Sequence, residues 1–200
     1  EAQNTYKKQL KEAGEKEDEK EDVACADGKK KTVNRKKLQD FDYLLQHFYQ
    51  VDNTTPIGSA KLDAEKLLSY DLPVDTQVDG PQILIYHTHG SEYFKDSDKE
   101  NQDTLITGVG SVLEEILEEK YGYNVYHDTT VFPYNSSYSR GREKVQQLLE
   151  KYPGIQVVID MHRDSAPGTH LVTEIGGKPT AQIMFFNGMS RFRTSGDIDY

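Results

Sequence analysis

Apolar positions along the chain follow two rhythms. Leu38, Phe41, Leu44, Leu45 and Phe48 recur at steps of three and four, which predicts an amphipathic helix ending near Asp52-Asn53, ahead of Pro56. A short helix is expected around Leu62–Leu68, and Pro73 and Pro81 bracket a linker into the run Ile83-Leu84-Ile85-Tyr86. From there the pattern reads strand, helix, strand, helix, strand. Ile83–Tyr86 is a buried strand; Val109, Val112, Leu113, Ile116 and Leu117 make a helical face closed by Tyr121-Gly122, where glycine suits a C-cap. Asn124–Tyr126 is a short strand, and Val145, Leu148 and Leu149 line a helix stopped by Pro153-Gly154. Ile155–Ile159 reads as a second fully buried strand. Apolar strands separated by helices imply an α/β fold, a mostly parallel mixed sheet flanked by helices. His170–Ile175, Gly176-Gly177 and Ala181–Phe186 then read as a hairpin with a glycine turn.

Charge changes the picture at the N-terminus. Residues 1–40 hold 11 basic and 10 acidic residues and few apolar ones, so residues 1–34 read as a charged, solvated arm or a fraying helix. Residues 35–80 form a helical lead-in, and 81–200 the α/β domain. From residue 41 onward 24 acidic residues outweigh 13 basic ones. Such a surface is a poor partner for nucleic acid, whose phosphates need Lys and Arg in quantity. No apolar run approaches the ~20 residues of a membrane span, and the start Glu1-Ala2-Gln3-Asn4 is no signal peptide. Its lack of Met suggests a segment of a longer chain. A single cysteine, Cys25, makes neither an internal disulfide nor a cysteine metal site.

In a parallel α/β sheet, ligands bind beyond the carboxyl ends of the strands. Both strongly apolar strands run into chemically capable residues there: His87-Thr88-His89-Gly90-Ser91-Glu92 after the first, Asp160-Met161-His162-Arg163-Asp164 after the second. Two imidazoles and a carboxylate are a usual catalytic zinc set, leaving one coordination position for water. His89-x-x-Glu92 lets one turn present two ligands, with Gly90 permitting the bend, and His162 arrives from the neighbouring strand. His87, close to the strand end, is a competing ligand or a residue that orients one. Asp160 and Asp164 either orient imidazoles or pair with Arg163.

The other histidines carry less. His47 on the first helix and His127 after a strand read as structural or surface residues, and His170 is undecided. The loop Tyr134–Arg140 precedes a helix, with Ser139 a plausible N-cap. Arg140 then falls in the first turn, the unfavourable end of the dipole for a cation, where it either binds an anionic group or is simply solvated. Ser91, Tyr138, Arg140 and Arg163 are the candidate substrate-binding residues.

The segments Ile83–Phe94 and Val157–Ser165, supported by Tyr138-Ser139-Arg140, Lys178–Ala181 and Met184–Gly188, resemble the stage II sporulation protein P family from about residue 38 to 200. The resemblance implies a zinc-amidase-like fold and a zinc-dependent N-acetylmuramoyl-L-alanine amidase, with a further endopeptidase activity on stem-peptide cross-links. By the same resemblance it is expected to act on peptidoglycan during forespore engulfment, using a zinc-activated water. By motif, His89, Glu92 and His162 are implied as the Zn²⁺ ligands and, through the metal, the catalytic residues. A lytic transglycosylase and membrane sporulation proteins are the implied partners, on the extracytoplasmic, cell-wall-facing side. Longer relatives begin with a membrane anchor, which this chain lacks. They also continue past the equivalent of Tyr200 to a strand ending in a glutamate, the expected general base; Glu174 is a weak substitute in this chain. The expected domain is therefore incomplete at its C-terminus, with a sheet edge left open. The competing reading is an inactive, zinc-containing module that binds cell wall. Phosphoester chemistry is a third, weakened by the absence of a glycine-rich phosphate loop.

Overall fold

A computed structural model describes residues 20–24, 30–58, 62–164, 172–186, 188, 191–192 and 196–197. Two compact units emerge, one of residues 72–169 and one that combines 1–71 with 170–200.

Strands β1 (Lys20–Ala24) and β2 (Lys30–Asn34) pair antiparallel, Lys20 opposite Asn34 and Ala24 opposite Lys30. This part of the expected arm is therefore extended and paired, favoured by the β-branched Val23, Thr32 and Val33; the remainder lies outside the described residues. The predicted first helix is two helices, α1 (Arg35–Leu38) and α2 (Phe41–Phe48). Asp40 makes the break: its side chain accepts from the Tyr43 N–H and caps α2, so a new helix starts inside the apolar pattern. Helix α2 ends at Phe48, before the expected Asp52-Asn53. Helix α3 (Ala64–Leu68) is capped by Asp63 in the same way. Leu44, Leu62 and Ala64 form a small core, joined by Leu38, Phe41, Leu45 and Ile57.

The second unit holds the parallel sheet. Strand β3 (Ile83–Tyr86) is central, flanked by β4 (Val125–His127) and β5 (Val157–Asp160). Ile83 lies opposite Val125 on one side and Val157 on the other, and Tyr86 lies opposite Asp160. Helix α4 (Ile106–Tyr121) covers one face with Leu113 and Leu117, against Ile83, Ile85, Val125, Val157 and Ile159. Gly122, at φ 73°, closes it as predicted, its N–H donating to the Glu118 carbonyl. Helix α5 (Ser137–Lys151) meets the other face where Gly141 packs against Tyr86 and Thr88.

Two expectations change in this unit. Strand β5 is an edge strand among the described residues: Val157 and Ile159 pack inward while Val158 is exposed, because successive side chains point to opposite faces and the face carrying Val158 is left uncovered there. On α4 the buried positions are Ile106, Thr107 and Gly110, whereas Val109, Val112 and Ile116 are exposed. The face turned to the sheet thus keeps Leu113 and Leu117 of the expected stripe but continues through Ile106 and Gly110 rather than through Val109, Val112 and Ile116.

Residues 172–197 add two short antiparallel pairs. β6 (Val172–Ile175) and β7 (Lys178–Ala181) turn through Gly176 and Gly177, both at positive φ, as the glycine pair predicts. The returning strand starts at Lys178 rather than Ala181, and Ile183–Phe186 follow it as exposed residues outside any strand. β8 (Arg191–Phe192) pairs with β9 (Gly196–Asp197). No helix among the described residues is long and apolar enough to cross a membrane.

Candidate functional site

All three parallel strands deliver polar residues at their carboxyl ends. β3 runs into His87-Thr88-His89, β4 ends in His127, and β5 ends in Asp160, two residues before His162. The ladder continues past the strands: Asp128 N–H donates to the Ile85 carbonyl at 2.8 Å and Met161 N–H to the Tyr86 carbonyl at 3.0 Å. These bonds fix where the following side chains start.

Side chains at this edge divide into a solvent-facing group and a buried one. His162 stands at the centre of the first. Its Nε2 lies 3.1 Å from Asp160 Oδ2, and its Nδ1 lies 3.6 Å from Glu92 Oε2. Asp160 is held in turn by Thr88, whose N–H donates to Oδ1 at 2.9 Å and whose hydroxyl donates to Oδ2. Glu92 is placed by the turn from His89, where its N–H donates to the His89 carbonyl at 3.0 Å; its Oε2 accepts from the Arg163 N–H at 2.6 Å. His89 packs edge-on to His162, with ring centres 5.4 Å apart. Tyr134 stacks on it at 5.2 Å and Tyr138 meets it edge-on at 5.1 Å.

His87 belongs to the buried group. It is fully buried, and its Nδ1–H donates to the Met161 carbonyl at 2.9 Å. Burial, the largest cause, holds its pKa below the ordinary histidine value despite that carbonyl, so the ring is neutral near pH 7. Its Nε2 lies within hydrogen-bonding distance of His127 Nε2, at 2.8 Å, and His127 Nδ1 lies 3.2 Å from Glu114 Oε2. Both nitrogens of His87 are thus engaged inside the protein. His127, expected to be structural or at the surface, has a side chain only 2% exposed. Of the two alternatives the structural one holds, and the ring lies so near Gly110 that an added methyl there would meet it at 2.6 Å. Nearby, burial and the Asp160 charge push the Tyr86 phenol up to about 12, keeping it protonated.

The structure therefore gathers His89, Glu92 and His162, with Tyr138 and Arg163 beside them. Arg163 sits with its guanidinium carbon 5.8 Å from the Tyr93 ring centre, and its Nη1 donates to the Asp164 carbonyl at 3.2 Å. Its Nε is buried and finds no hydrogen-bond partner among the described residues. Ser91 is exposed on the turn between His89 and Glu92, and Arg140 is exposed in the first turn of α5. That helix is entered at Ser136 rather than Ser139, because the Tyr134–Ser136 turn of 3-10 helix runs directly into it. Glu174 lies on β6 in the other unit, and His170 lies outside the described residues.

By donor type, His89, Glu92 and His162 fit zinc. Ligands of a tetrahedral zinc, each about 2.0–2.2 Å from the ion, stand about 3.4 Å from one another, and two bound imidazoles have ring centres about 5 Å apart. The separations of 3.6 Å and 5.4 Å are close to both values. Among the described residues, however, no group of three or more His, Cys, Asp and Glu side chains forms a ready-made metal cage.

A sequence model of one family, Stage II sporulation protein P (SpoIIP), matches residues 1–194. This chain belongs to the stage II sporulation protein P family. It is similar to Stage II sporulation protein P of Bacillus subtilis (strain 168), at 28% identity over 134 residues, 59% of this chain. The chain spans about a third of that relative's length, 33%. No solved structure matches it.

Proposed function

We propose that this member of the family carries the zinc-binding half of a peptidoglycan hydrolase acting in sporulation engulfment. Its bond of choice is the amide between N-acetylmuramic acid and L-alanine, with stem-peptide cross-links as a second substrate. The observation that carries the reading is the meeting of His89, Glu92 and His162 at the carboxyl ends of parallel strands, with Asp160 turning His162. A zinc ion held by these three would polarise the amide carbonyl and make water a better nucleophile near neutral pH.

The chain's own residues supply the rest. Asp160 and Thr88 hold the His162 ring, and the Arg163 backbone N–H holds Glu92. Tyr134 and Tyr138 wall the space beside His89 and offer exposed aromatic faces for a sugar ring or peptide. The half-buried Arg163 side chain beside Tyr93 is the proposed group for a substrate carboxylate or a developing oxyanion, with Arg140 and Ser91 further out. Membrane sporulation proteins and a lytic transglycosylase are the proposed partners, at an extracytoplasmic, cell-wall-facing site.

Metal analysis joined to muropeptide mapping tests this. One zinc per chain is expected, lost in His162→Ala together with release of stem peptide. Undiminished digestion of cell wall by the metal-free protein would overturn the proposal.

A further inference from the structure

We propose that Asp160 and Thr88 are positioning residues that clasp the ends of β3 and β5 and fix His162 as the Nε2–H tautomer, leaving Nδ1 as its free donor atom. What Nδ1 is free for, a metal shared with Glu92, rests on the function proposed above; the tautomer itself does not.

Matching donors to acceptors decides the tautomer. An ionised carboxylate only accepts. Asp160 Oδ1 takes the Thr88 N–H at 2.9 Å, and Oδ2 takes the Thr88 hydroxyl and faces His162 Nε2 at 3.1 Å. Nε2 must therefore carry the proton. Nδ1 faces Glu92 Oε2 at 3.6 Å, too long for a hydrogen bond, and that oxygen already accepts the Arg163 N–H at 2.6 Å. In a neutral ring, Nδ1 thus keeps its lone pair, directed toward the carboxylate with which it would share an ion. Because Thr88 stands between His87 and His89, the same clasp locks the turn that carries His89 to the strand that carries His162. A carboxylate behind a ligating imidazole is a known way to set ring orientation and basicity.

Asp160→Asn is isosteric yet offers one acceptor oxygen in place of two. If that oxygen stays on the Thr88 N–H, the new amide NH₂ faces His162 Nε2 and donates to it, driving the ring proton to Nδ1. The opposite amide orientation sets NH₂ against the Thr88 N–H, two donors face to face. Two-bond ¹H–¹⁵N correlation spectra of histidine-labelled, metal-stripped protein at mildly alkaline pH read the tautomer directly. Wild type should show His162 as Nε2–H and Asp160→Asn as Nδ1–H. Zinc affinity, measured with zinc alone against a chromophoric chelator, should fall about 10–100-fold in that variant. Should Asp160→Asn fail to fold, Thr88→Val should still weaken zinc binding while Thr88→Ser restores it. An Nδ1–H wild-type ring, an unchanged tautomer in folded Asp160→Asn, or equal zinc affinity in Thr88→Val and wild type would overturn the clasp. An Nε2–H ring in a wild-type protein that binds no zinc would uphold the clasp and remove the zinc reading instead.

Discussion

Gly110→Ala sets two opposing effects against each other. In an exposed helix the change is favourable by about 1 kcal/mol, because alanine gives up less backbone freedom. Gly110 lies inside α4, however, and a methyl there would stand 2.6 Å and 2.8 Å from Nε2 and Cε1 of His127 and 2.9 Å from Nε2 of His87. Ordinary carbon contacts are about 3.5–4.0 Å. The obstacle is a pair of buried rings tied to each other at 2.8 Å and to the Met161 carbonyl at 2.9 Å, so neither can swing away cheaply. Overpacking of this kind costs about 1–3 kcal/mol, and separating the rings leaves buried nitrogens unpaired at a further ~1–3 kcal/mol. The net expectation is a loss of about 1–5 kcal/mol, read by urea unfolding at neutral pH or as a fall of about 2–4 °C in Tm per kcal/mol for a chain of this length. In a His127→Ala background only His87 Nε2, at 2.9 Å, still crowds the methyl, and the same substitution should cost clearly less than in wild type. Equal or greater stability of Gly110→Ala in the wild-type background would refute the claim that the histidine pair requires this glycine.

Other substitutions probe other parts of the structure. Leu84→Ala, at a fully buried position in the central strand, should cost about 2–5 kcal/mol in the same unfolding assay. Asp128 is held below the usual carboxylate range: burial alone would raise it, but the Thr130 hydrogen bonds and Lys144 at 3.2 Å outweigh that. Its folded pKa is depressed, so its stabilisation is present above the unfolded value and lost as pH falls through the folded one. Asp128→Asn should therefore cost about 1–3 kcal/mol at pH 7, a difference from wild type that narrows as unfolding is repeated below about pH 4. Tyr138→Ala, at a position 71% exposed, should leave stability within ~0.5 kcal/mol. If Tyr138 flanks the substrate as proposed, peptidoglycan digestion should show KM raised about 3–10-fold, the worth of one aromatic contact.

The sheet was legible wherever local signals and tertiary packing agree. Ile83–Tyr86 reads as buried because it is the central strand, enclosed by β4, β5 and helices on both faces. The Gly122 C-cap and the Gly176-Gly177 turn were legible because only glycine takes those backbone angles freely. What misled was apolarity without a partner. Val158 has the same side-chain chemistry as Ile85, and nothing in the sequence says that one lies on an edge strand and the other in the middle. Likewise, of the helical stripe Val109, Val112, Leu113, Ile116 and Leu117, only Leu113 and Leu117 reach the sheet, and the buried face continues through Gly110 and Thr107 instead. Periodicity counts apolar residues and is blind to a contact made by small ones. The break at Asp40 shows the converse, a cap inside an apolar pattern ending one helix and starting another.

At the site, proximity in sequence to a strand end anticipated that His89, Glu92 and His162 lie near one another, but it did not distinguish His87 from His89. The end of the strand separates them: β3 stops at Tyr86, and the turn through residues 88–91 carries His89 away from the direction His87 takes. His87 is directed into the protein, toward His127 and the Met161 carbonyl. His89, two residues later and past the end of the strand, lies against Tyr134, Tyr138 and His162. A ring with both nitrogens engaged inside the fold is poorly placed to compete for an ion at the surface edge. The geometry therefore favours His89 over His87 as the partner of Glu92 and His162. His87 serves the site differently, because its Nδ1–H holds the carbonyl of Met161, the residue that joins Asp160 to His162. The buried histidine pair and the solvent-facing cluster thus share one short stretch of backbone. If His162 holds zinc as proposed, disturbing the pair, as Gly110→Ala would, should weaken that binding as well as the fold.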